Sequence, residues 1–212
     1  MSTPRDGLPF VWVSWLTPLL AGEAQCQYAA WVKSHYRYTK RPDASFDLAK
    51  WSADHAALVR RRQAELQAEG WQVEVEGANA FRLKGSTAIL AGQPDLVARR
   101  HGDVLVSDAK TGTPRTRDWF QVLVYLAAWP KAFGVVDATR VTGEVCYPTH
   151  RIPIAPDELT ADRADAIWTL VRQLATTEPA PTPSPRECGF CDVADCTARI
   201  DTPIREAAVG EF

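Results

Sequence analysis

Two short apolar runs, Leu96-Val-Ala and Val104-Leu-Val, flank the turn Arg99-Arg-His-Gly-Asp103, and each carries an acid at one end. Asp95, after Gly92-Gln-Pro, opens the first run. Asp108 closes the second, and Lys110-Thr-Gly follows two residues on. Side chains alternate along a strand, so Asp108 and Lys110 share a face with Val104 and Val106. A lone acid or lysine buried there would be costly and would tend to neutralise. Two acids and an amine escape that cost if a divalent cation lies among them. Carboxylates hold Mg²⁺ through hard oxygens and leave it several waters, and a nearby lysine can orient or deprotonate one of them as a nucleophile. A salt-bridged hairpin end is the plainer alternative. Acid-x-Lys alone is common, whereas Pro-Asp, a strand, a turn and then Asp-x-Lys-Thr-Gly is a far narrower pattern.

The segment after this hairpin, Arg117-Asp-Trp-Phe-Gln-Val-Leu-Val-Tyr-Leu-Ala-Ala-Trp129, is apolar nearly all round, as in a buried helix. Arg117, Gln121 and Tyr125 recur every fourth residue and form one polar stripe. A polar stripe on a buried helix needs partners, and the ends of the strands bearing Asp108 and Lys110 would supply them. Periodicity alone leaves an ordinary amphipathic seam equally open. His55 lies on the inward line Leu48, Trp51, His55, Leu58, Arg62 and Leu66 of another helix. A lone histidine there is more often a satisfied core residue than a ligand.

The five cysteines are Cys26, Cys146, Cys188, Cys191 and Cys196. Two disulfides and a spare is a weak reading, because Cys188-x-x-Cys191 is too tight for two independent bridges. A metal site is stronger: three thiolates on one loop, completed by Cys26 or Cys146. Cys146 lies in an apolar strand and reads as core.

The elements that must place these residues follow from periodicity and breakers. An extended segment at 8–16 leads into a helix at 17–36. A second helix at 47–69 opens on Asp47 and closes on Gly70. Strands are expected at 71–76, 79–84, 86–91, 94–99 and 103–109. A helix at 117–130 ends at Pro130. Strands near 139–147 and 150–154 and a helix at 157–176 come next, and 178–187 is a proline-rich linker. The residues divide into an N-terminal helical segment at 1–46, a core at 47–177, and a linker with cysteine cluster at 178–212, in one compact domain overall.

At 212 residues, 46% hydrophobic and 24% charged, the chain should bury a core. A net charge of -2 rules out a generally basic surface, so any polyanion site must be local. The basic residues do cluster, at Lys33, Arg37, Lys40 and Arg41, at Arg60, Arg61 and Arg62, at Arg99 and Arg100, and at Arg115 and Arg117. A solvated surface explains any one cluster taken alone. No apolar run is long enough for a bilayer span, and no membrane partner is expected. Leu8–Ala21 follows Arg5 as a signal peptide would, but Asp6, Trp12, Trp15 and Pro18 argue against secretion, and a cytoplasmic location is expected.

The Pro94-Asp95, Asp108-Ala-Lys110-Thr-Gly set resembles the PD-(D/E)XK nuclease core, and the Asp-Ala-Lys-Thr-Gly run is similar to that of RecB-type nucleases. The resemblance implies an α/β fold with a restriction-endonuclease-like core, a mixed central sheet flanked by helices. It implies a deoxyribonuclease in which Asp95, Asp108, His55 and the Ala109 carbonyl hold Mg²⁺ or Mn²⁺. Lys110 would act on the water, while Gln121 and Tyr125 match the family's Gln-x-x-x-Tyr. One cysteine before the core and three after it resemble the CRISPR-associated RecB-like exonucleases and the AddB nuclease domain. That layout implies a 4Fe-4S cluster on Cys26, Cys188, Cys191 and Cys196, in a helical annex built from both ends of the chain. The gap between Cys191 and Cys196 holds four residues, one fewer than the family pattern, and leaves Zn²⁺ as the alternative. The implied substrate is DNA, single-stranded or with single-stranded ends, digested as an exonuclease or at ends and flaps in CRISPR adaptation, antiviral defence, or DNA repair. Integrase or helicase-type proteins are the implied partners. Arg37, Lys40, Arg41, Arg60, Arg61, Arg62, Arg115 and Arg117 are candidate phosphate contacts, and Tyr36, Tyr38 and Trp119 candidate base-stacking residues. A DNA-binding or adaptor subunit with weak or no catalysis is the rival reading.

Overall fold

The computed structural model describes residues 2–41, 46–135 and 137–200. Lys40-Arg-Pro-Asp43, a turn by its sequence, lies partly outside them, as do residues 201–212 of the C-terminal segment. In chain order the elements are β1 (Thr3–Pro4), β2 (Phe10–Trp12), α1 (Val13–Leu20), α2 (Gln27–His35), β3 (Tyr36–Arg37), α3 (Leu48–Ala68), β4 (Gln72–Val75), β5 (Phe81–Lys84), β6 (Ile89–Gly92), β7 (Leu96–Arg100), β8 (Asp103–Ala109), α4 (Thr116–Phe133), β9 (Val141–Cys146), β10 (Arg151–Ile154), α5 (Ala161–Thr176) and α6 (Pro185–Phe190).

The main sheet is mixed, in the order β10-β9-β8-β7-β4, and only the β8–β9 pair is parallel. A parallel pair needs a crossover, and α4 supplies it. Alternation along the strands sorts the core into two layers. Val97, Val104 and Val106 pack with α4 residues Val122, Leu123 and Leu126 on one side. Leu96, Ala109 and Cys146 pack with Leu58 and Val59 of α3 on the other. A second sheet, β2-β6-β5, joins the α4 layer through Val11, Leu90 and Phe81. The architecture is an α/β fold with mixed sheets flanked by helices.

Gly143 on β9 brings α4 close to the sheet. A Cβ there would lie 2.4 Å from Val122 Cγ1, so only glycine admits this approach.

Most expected elements form, with four differences. The extended segment expected over 8–16 ends at Trp12, and residues 13–16 already belong to α1. The single helix read over 17–36 is two helices, because Gly22 takes φ +68° and the amides of Glu23 and Ala24 fold back onto Pro18 O. α4 does not stop at Pro130. It runs one turn further and ends at Gly134, φ +66°, whose left-handed conformation closes it. The linker ends in the short helix α6, capped by Ser184 with Pro185 at its first turn. Asp47 does open α3, its side chain accepting from Lys50 N, and Gly70 follows its end at φ +85°.

Candidate active site

The hairpin β7–β8 pairs Leu96 with Ser107, which brings Asp95, just before β7, beside the C-terminal end of β8. Asp95 Oδ2 accepts from the backbone N–H of Ala109 at 2.7 Å and lies 3.2 Å from His55 Nε2. The backbone thus locks Asp95 in place, and α3 presents His55 to it. The hydrogen bond to Asp95 raises the His55 pKa against the opposing effect of burial.

Asp108 is 2% exposed. Its Oδ1 accepts from Gln121 Nε2 at 2.9 Å. Its Oδ2 pairs with Lys110 Nζ at 2.5 Å. Burial pushes the Asp108 carboxyl up to about 6; Lys110 opposes the rise and Asp95 adds to it. Burial acts to lower the Lys110 pKa, but Asp108 outweighs it, so the ammonium is held charged. Gln121 links the group: it accepts from Lys110 Nζ at 3.1 Å and donates to Tyr125 OH at 3.0 Å. Tyr125 OH in turn donates to Gln93 O, and burial raises its pKa well above that of free tyrosine. The i, i+4 pair on α4 therefore sits over the end of β8, and the polar stripe read from the sequence has its partners here. Its third member, Arg117, turns away to Glu23.

A divalent cation fits these residues by chemistry. Asp108 Oδ2 is a hard, buried oxygen in contact with the Lys110 ammonium, and Asp95 supplies a second carboxylate. Among the described residues no three His, Cys, Asp or Glu side chains converge as a preformed cage. Lys110 lies at Asp108 Oδ2 and His55 at Asp95 Oδ2, and these contacts balance the two charges.

Cys26, Cys188, Cys191 and Cys196 are free thiols that line one cavity of about 1200 Å³. The loop that carries three of them is wound around Arg199, which donates to the carbonyls of Cys188, Cys191 and Val193. Glu187 accepts from the backbone N–H groups of Gln25 and Cys26, which draws the N-cap of α2 onto this loop. Lys33 pairs with Asp192 at 2.5 Å, and Tyr38 OH donates to Asp192 at 2.8 Å. The four thiols share this cavity, and among the described residues no three of them converge closely enough to form a ready metal site. Sequence reasoning missed Glu187 and Arg199. Ser184-x-x-Glu187 is a helix-start signal within the stretch read as linker, and it was the available clue. Cys146 is buried, as its strand context implied, and burial pushes its thiol up to about 11.

The basic candidates divide. Arg37, Lys40, Arg41, Arg60, Arg61 and Arg115 are exposed. Arg62 is 4% exposed and forms a two-pronged pair with Glu144, at 2.7 and 3.1 Å, so it is withdrawn from phosphate contact. Arg61 donates to Pro148 O, and Arg117 is held by Glu23. The aromatic candidates are also engaged: Tyr36 packs edge-on against Trp31, Tyr38 bonds Asp192, and Trp119 Nε1 donates to Glu158. Trp51, read as inward, is 42% exposed. Among the described residues, no helix is long and apolar enough to cross a membrane.

No curated protein sequence matches the chain. A solved structure titled "Crystal structure of SSO0001" is similar over 88% of this chain and 84% of its own, at 17% identity and a TM-score of 0.47. The sequence model of the PD-(D/E)XK nuclease superfamily matches residues 18–196, spanning both acids, Lys110, the Gln121–Tyr125 pair and all four clustered cysteines. The chain belongs to the PD-(D/E)XK nuclease superfamily.

Proposed function

We propose that this protein is a metal-dependent deoxyribonuclease acting on single-stranded DNA or on single-stranded ends. The observation that carries the reading is the buried Asp108 carboxylate, paired with Lys110 at 2.5 Å and repelled by Asp95. Asp95, Asp108, His55 and the Ala109 carbonyl are the groups that would hold Mg²⁺ or Mn²⁺. When bound, the ion supplies charge stabilisation at the phosphoryl oxygens and a more acidic water. Lys110, held charged beside Asp108, would orient that water. Gln121 aligns Lys110 with Asp108, and Tyr125 fixes the Gln121 amide. Arg37, Lys40, Arg41, Arg60 and Arg115 are surface cations for DNA phosphates.

The same proposal assigns Cys26, Cys188, Cys191 and Cys196 to a 4Fe-4S cluster, with Zn²⁺ as the alternative metal. Such a site would tie the two ends of the chain around the core and act structurally. The biological setting we favour is end processing in CRISPR adaptation or in repair, alongside an integrase or helicase-type partner. The N-terminal segment at 1–46, the core at 47–177 and the C-terminal segment at 178–212 would then act as one unit.

Purified protein with labelled single-stranded DNA and Mn²⁺ tests the reading. Cleavage lost in both Asp95→Ala and Lys110→Ala is the expected result. Cleavage unchanged in both would reject the site and leave a binding or adaptor role. Broad visible absorption after anaerobic purification, lost in Cys188→Ala, is expected for the cluster; colourless protein with one bound zinc would replace it.

A further inference from the structure

The N-terminal two turns of α3 stand clear of the body. Every residue from Leu48 to Asp54 is exposed, whereas Leu58, Val59, Arg62 and Leu66 further along are buried. This projecting end carries large apolar side chains. Leu48 is 64% exposed, Phe46 51% and Trp51 42%. Scattered apolar residues on a surface need no explanation, but these three lie together at one helix start. Their position is held firmly, because Asp47 caps the helix and Leu48 N donates to Phe46 O.

The rings continue into the candidate active site. Phe46 lies 6.1 Å from Trp51 at a tilt of 49°, and Trp51 stacks on His55 at 5.1 Å and 23°. His55 contacts Asp95. Trp51 is thus one ring away from a group that touches the Asp95 carboxylate. Among the described residues of this turn, Lys50 pairs with Asp54 at 2.6 Å, and Asp47 accepts from the helix N–H. An exposed pair of aromatic rings beside a phosphate-handling site suits the face of a base rather than its phosphate. A base within a duplex has both faces covered by its neighbours, so this surface selects an unpaired one.

We infer that Trp51, with Phe46 beside it, is a stacking platform for one unpaired nucleobase next to the scissile phosphate. The inference rests on the nuclease reading above and assigns the origin of its preference for single strands. Tyr36, Tyr38 and Trp119 do not serve this role, since packing and hydrogen bonds already occupy them.

The test uses full-length protein and a fluorescein-labelled oligothymidine, with binding read by anisotropy in EDTA so that it does not depend on hydrolysis. Trp51→Ala is expected to weaken binding by on the order of tenfold, and Trp51→Phe to restore most of the loss. Phe46→Ala should show a smaller effect. A single abasic nucleotide walked along the strand should weaken wild-type binding at one position, and at that position cost nothing further in Trp51→Ala. Equal binding by wild type and Trp51→Ala would overturn the platform. So would a loss in Trp51→Ala that is additive with the abasic site at every position. Loss of self-association by light scattering in Trp51→Ala, with DNA binding intact, would make the patch a protein contact instead. The nuclease reading fails separately, if wild type shows no metal-dependent cleavage or if cleavage survives Lys110→Ala; the binding measurements stand in either case.

Discussion

Gln121 on α4 donates its amide to Asp108 on β8 across 2.9 Å, and its carbonyl oxygen accepts from Lys110. One side chain thereby sets the spacing of an acid and an amine that otherwise meet through a direct charge contact. Replacing it should act on the chemistry more than on the fold. Gln121→Ala is expected to lower kcat/KM by roughly 10- to 100-fold, the weight of a hydrogen bond to a charged group. Tyr125→Phe should have a smaller effect, because the bonds it removes, to the Gln121 amide and to Gln93 O, do not touch Asp108 or Lys110 directly. Steady-state cleavage with thermal melts on the same samples checks both, and a kcat/KM within twofold of wild type for Gln121→Ala would remove Gln121 from the site.

Arg62 and Glu144 form a buried ion pair that pins α3 to β9, and Ser107 Oγ also donates to Glu144. Removing one partner leaves the other charge stranded. Arg62→Met is expected to cost about 3–5 kcal/mol in urea unfolding, and Arg62→Met with Glu144→Leu should recover much of that. Oligonucleotide affinity at low temperature should stay near wild type in the double variant. A tenfold fall there would return Arg62 to the list of DNA contacts.

Gly143 permits the close approach of α4 to β9. Gly143→Ala should destabilise the protein by about 1–3 kcal/mol through overpacking against Val122. Because α4 carries Gln121 and Tyr125, cleavage should fall with it. Full activity in a folded Gly143→Ala protein would show that the helix has room to shift without disturbing the site.

Asp192 links the cysteine loop to α2 through Lys33, and to the segment after β3 through Tyr38. Burial acts to raise its pKa, but the Lys33 hydrogen bond and charge, with the Tyr38 hydroxyl, win and hold it below the usual carboxylate value. A depressed folded-state pKa contributes stability above the unfolded value of about 3.9, and that contribution disappears as pH falls through the folded one. Urea unfolding from neutral pH down into the acid range should therefore show a loss of stability that is smaller in Asp192→Asn. Parallel curves for the two proteins would mean that the pair contributes nothing.

The chemistry was legible because it lies in local pattern. Asp95, Asp108 and Lys110 belong to one hairpin, and strand alternation is enough to put Asp108 and Lys110 side by side. The i, i+4 spacing of Gln121 and Tyr125 identified one face of α4. Asp47 and Gly70 marked the ends of α3 through caps that depend only on neighbouring residues. What failed were statements about a residue's surroundings. Arg62 and Trp51 share one helical line and were read alike as inward, yet one is buried against Glu144 and the other stands in solvent.

Periodicity specifies the face of a helix but not how far along its length the protein body extends, and for α3 the body ends near His55. Sequence alone thus determined which candidate residues meet at the end of the β7–β8 hairpin and which local elements carry them. Tertiary structure decided which arginines remain free, how the two chain ends bring four thiols to one cavity, and which aromatic rings reach the site. Those outcomes depend on contacts between residues far apart in the chain, and no local spacing encodes them.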